Sequence, residues 1–504
     1  MLDYNSLAQN ISKVNLQYTT SGNLVVFPDN FLETARLAVR ALFWHAPTNL
    51  PTLVKCASRG WLYWQPCAWR PVDQDFIESK LYHWFDTTVK TVRLKNSRRV
   101  YPVTATERLI RETRKALAAL TLINLPEPPC LLATQVNKNF SLLNPESLVA
   151  FANGIWDPIS QRLLPPTPAY FNKTTSPVSY TFPAPPPKTW LNFLSQTFAN
   201  NTDQIATLQE AFGYCLSAAL RWEHIFLLIG PPLSGKSTIA EVLTSLVGSE
   251  TTAELNLNLM QNDMFYLSYL QGRNLGIARD FRIDESTRKG QNVISHLLSI
   301  ATDEPVPIRV MHQGTNSDRL HIRFFLNANP GEFRLSDHSS ALLRRLIPLE
   351  TKASVKSGDE DRDLINKLRL ELPSIALWAL EGLDRALIKN RVVIPASSKK
   401  LLAELQSDFG NPVELFANEN LEVVPNITTI WSEIYNFYCK WCVEEEITPL
   451  SRRVFRDKLA DHYRDNPSIK GLHRSERDFT RASDSRRSRI VHNLALRPEV
   501  KPSL

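Results

Sequence analysis

The chain is poor in the residues that mark several protein classes. Its 504 residues include only six cysteines, at 56, 67, 130, 215, 439 and 442. That is too few for a disulfide scaffold and fits a reducing compartment. Cys439 and Cys442 form a lone CxxC, and His462 and His473 lie outside zinc-finger spacing, so both thiols read as helix packing groups. No apolar run approaches the ~18 residues that cross a bilayer, so no membrane segment is expected. The opening MLDYNSLAQN has neither a basic nor an apolar leader region, and a cytoplasmic protein is expected, in the host cytoplasm if the chain is virus-encoded. Glycine is scarce, 16 against 33 prolines, so each glycine-bearing stretch is informative.

The formal net charge is +7, and the last 54 residues hold fourteen basic against seven acidic side chains. A basic terminus points to a polyanionic partner, with nucleic acid first. At this length about three domains are expected.

One glycine-bearing stretch organises the rest. Gly230-Pro231-Pro232-Leu233-Ser234-Gly235-Lys236-Ser237-Thr238 reads GxxxxGK[ST]. An apolar run, 224–229, precedes it, and Ile239, Val242, Leu243 and Leu246 follow at helical spacing up to Gly248. Strand, glycine loop and helix together make a phosphate cradle. The glycines let backbone N–H groups converge on phosphate oxygens, and the helix N-terminus adds partial positive charge. Lys236 can reach the β- and γ-phosphates, and the Ser237 hydroxyl can ligate Mg²⁺. The expected ligands are therefore ATP and Mg²⁺.

Other residues extend the site. Asn274 to Asp280 reads as a strand ending in an acid that can hold Mg²⁺ through water. Ile322 to Asn329 reads as a buried strand whose terminal Asn can sense a γ-phosphate. Arg345, with Arg344 as alternate, precedes an apolar strand and reads either as a finger for a neighbouring subunit's site or as a salt-bridging Arg. Val306 to Phe325 predicts two strands around the polar turn 314–318, flanked by Arg309, His312, Arg319 and Arg323, which reads as a DNA-tracking hairpin or a charged surface hairpin.

Upstream, helices are expected over 31–43, 75–85 and 106–122, and short strands around Trp61 to Trp69 and Leu148 to Trp156. The proline-rich stretch 164–188 predicts an extended connector. Downstream, Ile430 to Val443 and Ser451 to Tyr463 predict helix, turn, helix, followed by Arg-rich strands over 470–492. Arg452, Arg453 and Arg456 would line the second helix and Arg487 the wing.

With these residues in view, the chain resembles superfamily 3 helicases, and more closely the C-terminal half of phage and plasmid primase-helicases related to the poxvirus enzyme. Leu148 to Phe171, Leu370 to Gly382 with Pro395, and Asn411 to Val413 carry the likeness outside the glycine loop. The resemblance implies an α/β fold: a P-loop AAA+-like ATPase core at 189–395, an α+β domain at 53–188, a winged-helix DNA-binding domain at 396–504, and a segment, 1–52, of unassigned role. It implies that Lys236, Asp280, Asn329 and Arg345 are catalytic, and that Ser237 and Asp280 hold the metal. It also implies homo-hexameric rings on single-stranded and forked DNA. The family usually has Glu at the position of Asp280, and Lys with Gly-Asp where this chain has Leu298 and Asp303-Glu304. No primase motif precedes the ATPase, so priming is expected from a separate primase or host replication proteins. The alternative is an initiator that binds origin DNA, uses ATP as an assembly switch and recruits a host helicase.

Overall fold

The computed structural model describes residues 3–57, 59–94, 97–133, 143–217, 220, 222–262, 265–282, 288–310, 314–330, 340–352, 361–408, 412–444, 449–464, 466, 468–472, 479–481 and 487–497. The chain groups into two compact units. The first holds 1–280, 299–329 and 347–395, and the second holds 281–298, 330–346 and 396–504. Residues on both sides of 188 belong to the first unit. Among the described residues no helix is long and apolar enough to cross a membrane.

The N-terminal part of the first unit is a small mixed α/β assembly. Helices Phe31–Leu42, Gln74–Asp86 and Glu107–Leu120 form where the apolar spacing predicts. Each has a side-chain N-cap, from Asn30, Asp73 and Thr106, that satisfies an otherwise orphaned N–H group. Strands Leu53–Cys56, Gly60–Gln65 and Ala68–Val72 form an antiparallel sheet with Trp64 opposite Trp69. Both tryptophans are buried, which is core packing. The proline-rich stretch is extended and also packed, for Tyr170 and Phe171 are buried and pair with Leu131 and Cys130.

The centre of the unit is a five-stranded sheet. Helices α1 (Lys188–Thr197) and α2 (Thr202–Leu216) lead into β1 (Ile225–Ile229). Then come α3 (Lys236–Val247), β2 (Thr252–Glu254), β3 (Leu275–Ala278), β4 (Arg323–Ala328), β5 (Leu346–Glu350) and α4 (Leu372–Lys389). The spatial order is β2-β3-β4-β1-β5, and the pairs β2–β3, β3–β4 and β4–β1 are parallel. Parallel strands covered on both faces must be continuously apolar. β1 is accordingly Ile-Phe-Leu-Leu-Ile, and every residue is buried. Phe226, Leu228, Phe325, Ile347 and Leu349 share one core with α2, α3 and α4.

α2 and α4 approach closely because each has a glycine at the crossing. A Cβ on Gly382 would strike the backbone of Gln209, and one on Gly213 would strike that of Ala379.

The second unit has its own core, built from helix Pro412–Asn420, β6 (Leu421–Ile430), α5 (Trp431–Glu444), α6 (Arg452–His462), β7 (Phe479–Arg481) and β8 (Arg487–Leu496). β8 pairs antiparallel with both β6 and β7. Phe455 stacks on Tyr438 with ring centroids 4.0 Å apart. Cys442 is buried in this core and burial pushes its thiol up to about 11, which fits a packing role.

Gly382→Ala tests the crossing. Alanine improves helix propensity by ~1 kcal/mol. Here the colliding atoms are backbone and cannot rotate away, so an overpacking cost of up to ~3 kcal/mol outweighs that gain and leaves a net loss of up to ~2 kcal/mol. We expect a lower urea midpoint at unchanged m-value, and an unchanged or higher midpoint would rule out this packing account.

Candidate functional site

The glycine loop follows β1, and α3 begins at Lys236. Gly230 has no room for a side chain, since a Cβ there would collide with Thr351. Gly235 adopts φ 86°, a left-handed conformation, and a Cβ on it would sit 2.8 Å from the Phe193 ring. Leu233 is left-handed too, at φ 60°. No side chain caps α3, whose N-terminus carries the partial positive charge that favours an anion. The Lys236 ammonium is buried and donates to the carbonyls of Gly230 at 2.6 Å and Pro231 at 2.7 Å. It thus lies folded across the loop. Ser237 is exposed in the first turn and Thr238 half-buried.

The sheet order determines what faces this loop. β4 lies between β1 and β3. Two strand spacings, about 10 Å, therefore separate the carboxyl ends of β1 and β3. Asp280 is exposed two residues beyond the end of β3. Its neighbour Arg279 is held by Glu241 at 3.0 Å and Glu254 at 3.3 Å, so the adjacent cation is already paired. Asn329 is half-buried just past the end of β4.

Sequence reading missed two residues here. Asn327, in β4 opposite Leu228, is fully buried, and neither end of its amide has a hydrogen-bond partner. Strand alternation puts it on the same side as Asn329. An orphaned buried amide costs ~1–3 kcal/mol, so it calls for a ligand or water to satisfy it. Its one sequence signal is a lone polar residue in an otherwise apolar strand. The second is Thr351, just after β5. It is buried, its hydroxyl shares a 2.7 Å hydrogen bond with that of Ser234, and its N–H donates to Ile229. Thr351 pins the loop from the neighbouring strand, and nothing in its local sequence marks it.

The remaining expected site residues are distributed as follows. Arg345 lies in the second unit, half-buried, with a guanidinium N–H on the Ala341 carbonyl at 2.9 Å, and Arg344 is exposed. The expected hairpin exists, but Gly314–Asp318 is its second strand, paired with Val306–Val310, and is not its turn. His312 lies outside the described residues. Arg309 is exposed beside the Phe265 ring. Arg319 bonds the Asp303 carbonyl, and Arg323 is buried against Asn274, so both serve the first unit's own structure. In the second unit Arg452 lies over the Tyr435 ring, and Arg453 and Arg456 both reach Asp457. Arg487 stands directly opposite Arg481 in the β7–β8 pair. Among the described residues no group of three or more His, Cys, Asp or Glu is placed to hold a metal.

A family of unknown function, DUF5906, matches residues 228–345, which run from the end of β1 to Arg345. No curated protein matches the chain. Solved structures of the NrS-1 C-terminal region are similar at 11% identity over 88% of this chain and 96% of theirs, with a TM-score of 0.45. Another apo structure of the same region gives 12% identity over 63% and 78%, with a TM-score of 0.39. Likeness at this level does not define a shared fold.

Thr351→Val preserves shape and removes the 2.7 Å bond to the Ser234 hydroxyl, which keeps only the Lys236 ammonium at 3.3 Å. A lost hydrogen bond of ~1 kcal/mol lowers nucleoside triphosphate affinity about fivefold. Titration with a fluorescent ATP analogue reads this directly, and unchanged affinity would remove Thr351 from the site.

Proposed function

We propose that the chain is an ATP-dependent DNA helicase for replication of a phage, plasmid or integrated element, acting as a ring on DNA. One observation carries the reading. A glycine loop that excludes side chains at Gly230 and Gly235 stands at the carboxyl edge of a parallel sheet, beside a strand with an unsatisfied buried Asn327. Ligands of open α/β sheets bind at that edge.

The chain's residues divide the chemistry. Backbone N–H groups of 233–236 and the start of α3 hold the phosphates. Lys236 swings from the Gly230 and Pro231 carbonyls and the Ser234 hydroxyl to the β- and γ-phosphates, exchanging neutral acceptors for charged ones. Ser237 and Asp280 are suited to hold Mg²⁺, the Asp through water. When bound, Mg²⁺ neutralises charge that develops on the phosphates. Asn327 and Asn329 supply amide groups that orient the attacking water. Arg345 completes the site of a neighbouring subunit by stabilising transition-state charge. In the second unit, α5, α6 and the β7–β8 hairpin serve as a winged helix on DNA. The run of basic residues Arg452, Arg453 and Arg456 on α6 supports this, as a basic helix face suits a polyanion.

The initiator reading is favoured by a different observation. Arg319 and Arg323 of the expected tracking hairpin are occupied within the first unit. A hairpin with so few available cations suits assembly on DNA better than translocation along it.

Strand separation on forked DNA, measured with ATP hydrolysis, decides between the two. For the helicase, Lys236→Ala lowers kcat by roughly 10²–10³-fold, and Arg345→Ala by roughly 10³-fold or more. Strand separation is lost in both. DNA-stimulated hydrolysis without strand separation in the wild type would favour the initiator, and hydrolysis indifferent to DNA and to Arg345→Ala would refute the ring. Asn327→Leu lowers kcat while raising the unfolding midpoint, because the orphaned amide is removed. A purely structural Asn327 would leave kcat unchanged. Arg487→Ala weakens duplex binding uniformly across sequences and reduces the log–log salt slope by about 1.

A further inference from the structure

The first unit contains a cavity of about 570 Å³ away from the glycine loop. It is lined by residues 271–274, which precede β3, and 318–321, which precede β4, together with parts of 59–71 and 128–174. In a parallel sheet these are the amino ends of the strands, whereas the glycine loop follows a carboxyl end. The two sites therefore lie at opposite edges of the same sheet.

The lining is strongly cationic. Arg59, Arg70, Lys173, Arg273 and Arg319 line it, with His321 and the acids Glu250 and Asp318. Several of these charges are spoken for. Arg59 is paired with Glu127, Arg70 lies 3.5 Å from Glu250, and Arg319 and His321 are on Asp303. Asp318 accepts from Gln271 at 3.2 Å. Lys173 is half-buried among them, and burial, then the Arg59 charge, holds its ammonium below the usual lysine range. That is the electrostatic state that an incoming anion relieves. A second observation is independent of charge. Asn172, which is fully buried and lines the cavity, donates to the Thr174 carbonyl, but its amide oxygen has no partner. A ligand that offers both an anion and a hydrogen-bond donor satisfies both groups.

Leu62, Pro71, Pro128 and Pro129 add apolar surface to the lining. Small-molecule sites range over roughly 300–1,000 Å³. A half-open space of this size, lined by both cationic and apolar residues, fits one nucleotide and is too small for a duplex. We propose that this cavity is a second nucleotide site, in which Lys173 receives the phosphate, Arg70 joins it as the exposed Glu250 carboxylate turns to water, the proline wall receives the base, and Asn172 accepts a donor from the base or sugar. The nucleotide is either free or one unit of a single strand. This site does not depend on the ATPase reading.

The test uses the full chain carrying Lys236→Ala, which removes the glycine-loop lysine. dTMP and a single-stranded (dT)12 are titrated by calorimetry at two salt concentrations. We expect a saturable site on the Lys236→Ala chain that weakens at least tenfold when Lys173→Met is added, and likewise with Arg70→Gln. dTMP also raises the thermal unfolding midpoint of the Lys236→Ala chain, and fails to do so once Lys173→Met is present. Binding of dTMP identifies a free nucleotide as the source, and a Lys173-dependent response to (dT)12 alone identifies the strand. Binding of neither probe, or binding unmoved by both substitutions in chains that unfold cooperatively, would overturn the proposal. ATP hydrolysis that fails in the wild type while dTMP still binds would overturn the ATPase and leave this site standing.

Discussion

The parallel pairing of β4 with β1 is the constraint on which the candidate site depends. Five residue pairs, from Ile225 with Phe324 to Ile229 with Ala328, hold the two strands in register. That register brings Asn327 level with Leu228 and ends both strands together, so the glycine loop and Asn329 emerge at one height. A slip of one residue would turn Asn327 and Asn329 to the opposite face and bring Ala328 in their place. The register is enforced by burial. Phe324, Phe325 and Leu326 are all fully buried, and no shift exposes fewer of them.

The close approach of α2 and α4 works on the same site from behind. α1 packs Trp190 against Phe212 of α2 and Trp378 of α4, and its Phe193 ring closes on Gly235. Thr197 at the end of α1 accepts from the Lys352 N–H, next to the Thr351 that holds Ser234. The loop's shape is therefore set by side chains from both the helical layer and the edge strand. Its left-handed residues, Leu233 and Gly235, are tolerated because these contacts determine them.

Much of this architecture was legible where local signals agree. The helices over 31–42, 74–86, 107–120, 431–444 and 452–462 combine apolar periodicity with polar residues at their starts, and they form within a few residues of the expected limits. Strand order was not legible, because β1 pairs with strands about a hundred residues away. Segment 314–318 misled because Gly, Asn and Asp favour turns, whereas pairing with Val306–Val310 draws it into a strand. β6 went unrecognised because Pro425 and Asn426 interrupt it. The structure accommodates them with a register shift between Val423 and Thr428 and a left-handed Asn426. Thr351 escaped notice for a related reason, since its partner lies 117 residues away and its own surroundings are those of an ordinary strand end.

The uneven state of the basic residues separates structure from readiness to bind. A guanidinium that satisfies a buried carbonyl or carboxylate cannot be lent to a phosphate without leaving that group bare. Arg323, buried on Asn274 and the Leu220 carbonyl, is of this kind, and Arg489 on the Gly471 carbonyl is another. The same logic distinguishes Lys173 from Lys236. Lys236 must release the Gly230 and Pro231 carbonyls to reach a phosphate, whereas Lys173 sits beside Arg59 with its charge disfavoured. Count of basic residues, which drew attention to the C-terminus, is thus a weaker guide to anion binding than the unrelieved charge at each position.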